Sequence, residues 1–234
     1  MAAGRTDSSP AVLTARCGST RFSKMVPAPN RPPRDIDAER FFSDWLPREF
    51  ASEFGPGRRA ARDITVAVHL LGEGGGDWVL DVRGGVLSVR APGELGPTPV
   101  VTMWQTMADW RAVIVGEAGI PGAPTFDLAP PQASPLDVLF VDPSSRQIMS
   151  SVRGTVRFEV EGYNGRTWWM RVKFGPQPEP REPDAVIRTA ADTYARILAH
   201  ELRPPEAYFS GRISLEGDTS LALQLGMAML PRFI

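Results

Sequence analysis

Two stretches of this chain, 90 residues apart, alternate apolar and polar side chains with matching landmarks. The first runs Ile64, Val66, Val68, Leu70, then Trp78, Leu80, Val82, then Leu87, Val89, with Gly74-Gly75-Gly76 and Gly84-Gly85 between the runs. Successive side chains of a strand point to opposite faces, so period-two runs split by glycine-rich turns predict an antiparallel meander with one buried face. The second stretch repeats Thr65-Val66 as Thr155-Val156 and Trp78 as Trp168, with Leu80 and Val82 falling on Met170 and Val172. A fourth strand is expected at about 99–104, followed by a helix opened by Thr106 with Asp109 as its acidic partner. The match for this helix start, Thr189-Ala190-Ala191-Asp192, stands 83 residues further on. The shortfall falls at Gly175-Pro176-Gln177-Pro178-Glu179-Pro180, and proline cannot donate to a ladder. The second copy is therefore expected to lack its third strand, leaving the first copy to complete a shared sheet.

The flanks bound this duplicated α+β core. Residues 1–35 carry Pro10, Pro27, Pro29, Pro32 and Pro33 without apolar periodicity, and are expected to be a disordered leader. The leader faintly resembles an organelle transit peptide, and Met25 is an alternative start. Phe41, Phe42, Trp45, Leu46, Phe50 and Phe54 predict an amphipathic helix over 37–54, interrupted by Pro47 and ended at Gly55-Pro56-Gly57-Arg58-Arg59. The organisation read from this is a first half over 36–118, a Pro/Gly-rich linker over 119–135, and a second half over 136–234 that starts with a helix before Val152. A net charge of -1, with two histidines and one cysteine, argues against a nucleic-acid surface, a zinc site or a disulfide framework. The reading calls for no cofactor and no metal, and places the chain in the cytoplasm. No apolar run reaches the roughly 18 residues of a membrane span, which leaves at most peripheral membrane contact. The only lysines are Lys24 and Lys173, an arginine bias that implies a GC-rich bacterial source.

Residues 183–230 are the most informative. Tyr194, Ile197, Leu198 and Leu202 mark one face of a helix over 190–202. Pro204-Pro205 stops it and starts a short helix through Tyr208 and Phe209, ended by Gly211. Arg212 to Glu216 alternates as an edge strand, and Asp218 caps the next helix. From Thr219 to Leu230 that helix has no charge and is apolar nearly all round. Such a helix is either core on both sides or has one face on a sheet and the other on an apolar ligand or partner. Met227 and Met229 suit a wall that adapts to ligand shape.

The run Pro183-Asp184-Ala185-Val186-Ile187-Arg188-Thr189, with Asp192, Tyr194 and Ile197-Leu198, resembles the C-terminal half of the sterol carrier protein type 2 family. So does Pro205-Glu206-Ala207-Tyr208-Phe209-Ser210-Gly211-Arg212-Ile213, followed by Glu216-Gly217-Asp218 and Leu221-Ala222. The resemblance is strong over about 154–230 and weaker over 37–118, the degenerate copy. It implies a sterol-carrier-like, mainly antiparallel sheet of five or more strands, covered by helices and enclosing an apolar tunnel.

Chemistry is sparse elsewhere. No Gly-x-Ser-x-Gly elbow accompanies His200 and Glu201, and His69 falls on the polar register of its strand. Both histidines are read as solvated or capping groups. Gly72-Glu73-Gly74-Gly75-Gly76 lacks the Gly-Lys-Ser/Thr of a phosphate loop and is read as a hairpin loop. Trp168 shares the inward register with Met170, whereas Trp169 faces the other side, against a second layer or an exposed contact. The expected function is non-catalytic binding or transfer of a sterol, fatty acyl chain or isoprenoid. The wall residues expected are Phe158, Trp168, Met170, Ile187, Tyr194, Ile197, Leu198, Tyr208, Phe209, Leu221, Leu225, Met227 and Met229. The alternative is a cyclase, isomerase or accessory protein holding an apolar substrate, with Asp192, Glu206, Asp218 or His200 as its acid or base.

Overall fold

The computed structural model describes residues 32–54, 63–115, 152–163, 165–199 and 201–229. Among these, eight strands form one sheet: β1 (Ile64–Leu71), β2 (Gly76–Arg83), β3 (Val86–Arg90), β4 (Val101–Thr106), β5 (Gly154–Tyr163), β6 (Arg166–Phe174), β7 (Ala185–Ala190) and β8 (Ile213–Gly217). Their order is β3-β2-β1-β4-β6-β5-β7-β8. The pairs β1–β4 and β5–β7 are parallel and the others antiparallel. The helical elements are α1 (Ala38–Arg40), a π-helical turn (Phe41–Trp45), α2 (Leu46–Phe54), α3 (Met107–Ile114), α4 (Ala191–Leu198), α5 (Pro204–Phe209) and α6 (Thr219–Met229). The expected leader up to residue 31, the 55–59 turn, the 119–135 linker, the helix before Val152, His200 and Leu230 lie outside the described residues.

Strand alternation decides which face the helices cover. Val66, Val68, Leu70, Trp78, Leu80, Val82 and Leu87 share one face with the rings of the 38–54 helix and Trp110 of α3. On that same face in the second half lie Val156, Val172, Phe174 and Ala185, under Leu221, Ala222 and Leu225 of α6. Val101 and Met103 of β4 pack against both groups, so the apolar layer is continuous across the sheet.

The two halves share a local topology. In each, an antiparallel hairpin (β1–β2, β5–β6) is joined on its first strand by a parallel strand (β4, β7) that leads into a helix (α3, α4). Val66 pairs with Val101 and Val156 with Ala185, at equivalent places. The proline segment after β6 forms no strand, as expected, and β4 occupies the place beside β6 that β3 occupies beside β2. The registers agree as well: Val82 faces Leu87 and Phe174 faces Val101, while Leu80 faces Val89 and Val172 faces Met103.

Three sequence alignments need correction. Hairpin pairing equates Trp78 with Met170, not Trp168, because Val68 pairs with Trp78 whereas Phe158 pairs with Met170. Thr189 does not start its helix, since it is paired within the sheet with Val160 and Ile213, and the residue before α4 is Ala190. Thr106 does cap α3, accepting from Asp109 N at 3.0 Å, whereas α4 has no side-chain cap. Pro47 does not break the first helix. It has no N–H for the Ser43 carbonyl, and the turn before it is widened to a π-helical one, so the run continues to Phe54.

Candidate apolar site

Each half is closed by a helix layer, but with different material. In the first, Phe42 stacks on Trp78 with centroids 4.4 Å apart, and Phe41 meets Trp45 and Trp110 at 5.2 Å each. In the second, the cover is α6, through Leu221 and Leu225, with α4 beside it presenting Tyr194 and Ala195. The strand residues Phe158 and Met170 belong to both the α6 and the α4 groups and are part-buried, as are Ile187 and Leu215. These side chains join the two apolar groups into one layer beneath α4 and α6.

Position of α6 is set at its start. Asp218 Oδ1 accepts from Ser220 N and Leu221 N at 3.0 and 3.1 Å, so the expected cap is in place. Asp218 N donates to the Asp184 carbonyl, and the Asp184 carboxylate accepts from Thr155 N at 2.7 Å. One residue thereby ties α6 to the beginnings of β5 and β7. Gly154 completes the fit: its φ is +128°, and a Cβ there would lie 2.8 Å from Leu221. The positive φ favours glycine here, and a Cβ would press on the end of the Leu221 side chain.

The wall residues expected from sequence divide into three groups. Ile187, Leu221 and Leu225 fall in the apolar group under α6, Trp168 and Tyr194 in the group under α4, and Phe158 and Met170 in both. Ile197 instead packs with Leu202, Ala207 and Ile213 in a separate small cluster. Tyr208 lies beside Phe209 at 5.5 Å, and Phe209 is 84% exposed because it ends the short α5 at the surface. The side chains of Leu198, Met227 and Met229 lie outside the described set. Of the acid or base candidates, Asp192 and Glu206 are exposed and Asp218 serves as the cap.

Sequence reasoning missed the polar seam beside this layer. Asp109 is fully buried; its carboxylate pairs with Arg166 of β6 and accepts from the Thr106 hydroxyl at 2.7 Å. Its carbonyl accepts from Trp168 Nε1 at 3.0 Å, so α3 of the first half is bound to β6 of the second. A capping signal at Asp109 was readable, but nothing local marks Arg166 as its partner. Burial raises the Tyr163 hydroxyl, with Arg166 opposing and Asp109 reinforcing the shift. Burial also pushes the Tyr194 hydroxyl up to about 12, and nearby Tyr163 adds to this.

The opposite face is polar, with aromatic and arginine side chains interleaved. His69, read from sequence as a solvated or capping group, is part-exposed and partnered within the sheet. Its Nδ1 lies 2.7 Å from an Asp77 carboxylate oxygen and its ring stacks on Trp104 at 5.3 Å. Arg171 lies over Trp104 and Arg157 over Trp169, at 5.3 and 4.7 Å. Arg188 is held by Glu216 and Glu159, and those hydrogen bonds raise its already high pKa. Gly72 to Gly75 joins β1 to β2 as a hairpin loop, as expected. A cavity of about 320 Å³ opens on this face. No group of residues suited to a metal occurs among the described residues, and no described helix is long and apolar enough to cross a membrane.

Residues 136–229 match the model of the SCP-2 sterol transfer family. A 93-residue stretch is 28% identical to hydroxysteroid dehydrogenase-like protein 2 of Mus musculus, covering 38% of this chain and 19% of that protein. The protein of the same name from Xenopus laevis is 25% identical over 132 residues, 53% of this chain and 30% of its own length. The chain thus spans about a fifth to a third of these curated relatives. Among solved structures, sterol carrier protein domain 2 of Helicoverpa armigera is 20% identical with a TM-score of 0.30, over 38% of this chain and 74% of that one. Sterol carrier protein 2 of Yarrowia lipolytica is 14% identical with a TM-score of 0.27, over 38% and 79%.

Proposed function

We propose, from the premise that residues 136–229 are a domain of the SCP-2 sterol transfer family, that this chain binds an apolar molecule in the cleft between α4, α6 and the sheet. The ligand class is a sterol, fatty acyl chain or isoprenoid, held in a tunnel and handed on without chemistry. The observation that carries this reading is the part-buried apolar floor of Phe158, Met170 and Ile187 beneath Leu221 and Leu225.

The energetics need no specific polar contact. Each methylene moved from water into an apolar site gains about 0.8 kcal/mol. Ten methylenes supply about 8 kcal/mol before ordering costs, enough for affinity near the micromolar range. Tyr194 packs against the same strands from α4, and the reading has it border the ligand. Phe209, exposed between Arg203 and Arg212, is the contact through which the reading has the domain touch a membrane surface. The shared topology and register support reading the first half as a diverged copy of the same unit, filled by rings and no longer open to ligand.

The test is titration with a neutral fluorescent sterol and a fluorescent fatty acid. Leu225→Gln and Ile187→Gln should each weaken at least one probe by tenfold or more, about 1.4 kcal/mol. Gly154→Ala, which presses on Leu221, should do the same. If all three variants bind both probes like the parent chain, the cleft is not the site.

A further inference from the structure

We propose that the polar face of the sheet carries a second binding site, for a small molecule bearing one carboxylate on a compact apolar body. The site follows from strand register. Arg90, Val79, Ala67, Thr102 and Lys173 are direct cross-strand neighbours on β3, β2, β1, β4 and β6, and so form one row across the sheet. The three central members are small and the two outer ones long and cationic. A row of this kind is a trough, and the cavity of about 320 Å³ lies over it. That volume is at the low end of small-molecule pockets, which run from roughly 300 to 1,000 Å³.

The walls are held independently of any ligand. On one side stands the next row, where His69 is fixed between Asp77 and the Trp104 ring. On the other is the loop after β3, secured by the Arg90 guanidinium, which donates to the carbonyls of Glu94 and Pro97 at 2.8 and 2.7 Å. Arg90 thus builds the wall and spends donors on it. Both halves contribute, because Lys173 comes from β6.

Polarity identifies the ligand. The Lys173 ammonium is part-buried and donates to a neutral acceptor, the Gln177 carbonyl at 2.8 Å. Glu179, the carboxylate that also lines the cavity, is paired with Arg171 at 3.2 Å. Lys173 therefore keeps two N–H groups and an unneutralised charge, which is costly to enclose without an anion. Beside it, Thr102 is 94% buried and lines the cavity, and its hydroxyl has no hydrogen bond among the described residues. Facing residues of an antiparallel pair have Cβ atoms about 5 Å apart, so one carboxylate can bridge Lys173 and Thr102. From there the trough crosses Ala67 and Val79, about 10 Å at the spacing of adjacent strands. That length suits an aromatic ring or a short branched chain. This site and the sterol cleft lie on opposite faces, so either can fail without the other.

The experiment uses the full chain with benzoate, and with benzamide and benzylamine as neutral and cationic probes of the same skeleton, followed by saturation-transfer NMR and calorimetry. Benzoate should saturate at millimolar or lower concentration and bind at least tenfold more tightly than either control. Lys173→Met and Ala67→Leu should each weaken benzoate at least tenfold, while Lys173→Arg retains it. Affinity for a neutral fluorescent sterol should stay within twofold in all three variants. Equal binding of the three probes, benzoate binding indifferent to both Lys173→Met and Ala67→Leu, or no saturation by about 20 mM would overturn the proposal. If Lys173→Met does not fold, the Ala67→Leu and Lys173→Arg pair decides on the same criteria.

Discussion

The first half packs stacked rings against its apolar face, and the second packs leucines of one helix against its own. Both are built on the same strand-and-helix order. The difference lies in what the covering helix carries: Phe41, Phe42 and Trp45 in one case, Leu221, Ala222 and Leu225 in the other. Large rings fill space once and hold it, because edge-to-face and offset contacts fix their geometry. The comparison teaches that one sheet layout accepts either an aromatic or an aliphatic helix layer.

The comparison breaks most completely if the halves are independent. Residues 32–115 expressed alone leave the β4 edge bare, and 152–229 alone leave the β6 edge bare. Neither fragment should retain the roughly 5–15 kcal/mol of a folded domain. Circular dichroism should show no cooperative melt for either, and a sharp transition from one of them would refute the shared sheet.

Truncating one residue in each half sharpens the contrast. Phe42 is 3% exposed and stacked on Trp78, so Phe42→Ala should cost about 3–5 kcal/mol in denaturant unfolding. Met170 is only part-buried, and Met170→Ala should cost below about 2 kcal/mol. Sterol affinity should fall in the second variant and hold in the first. The reverse pattern would assign the ligand to the wrong half.

The smallest effect concerns pH. Tyr194 has its hydroxyl raised from 10.0 to about 12 in the folded chain. Above pH 10.0 the unfolded chain loses that proton first, so stability is fully present below 10.0 and falls as pH rises toward 12. Tyr194→Phe should reduce this alkaline loss, with Tyr163 supplying a remainder. Equal slopes for the two proteins in that range would place Tyr194 in water.

What was readable from sequence was local. Alternation placed the strands and their inward register, and Asp218 and Thr106 marked their caps, because each signal spans only a few residues. The prolines after β6 made the missing third strand readable, and with it the shared sheet; which strand covers the β6 edge, and in what register, was not. Asp109 and Arg166 meet across 57 residues, and the trough of Val79, Ala67 and Thr102 exists only once three strands are in register. The orientations of Ile197 and Phe209 were likewise set by tertiary packing, although both fit the expected helical pattern.

The β4–β6 junction also bears on the order in which this protein is made. Val101 must wait for Phe174, about 70 residues later in the chain, whereas β1–β2 and β5–β6 close across short loops. At synthesis rates of roughly 5–20 residues per second, β4 emerges about 4–14 s before its partner. Throughout that interval the nascent first half offers an unpaired edge, the kind of template that other extended chains can join. The pairing that unites the halves is therefore the slow, non-local step of folding. It is also the one at which a newly made chain is most open to joining the wrong neighbour.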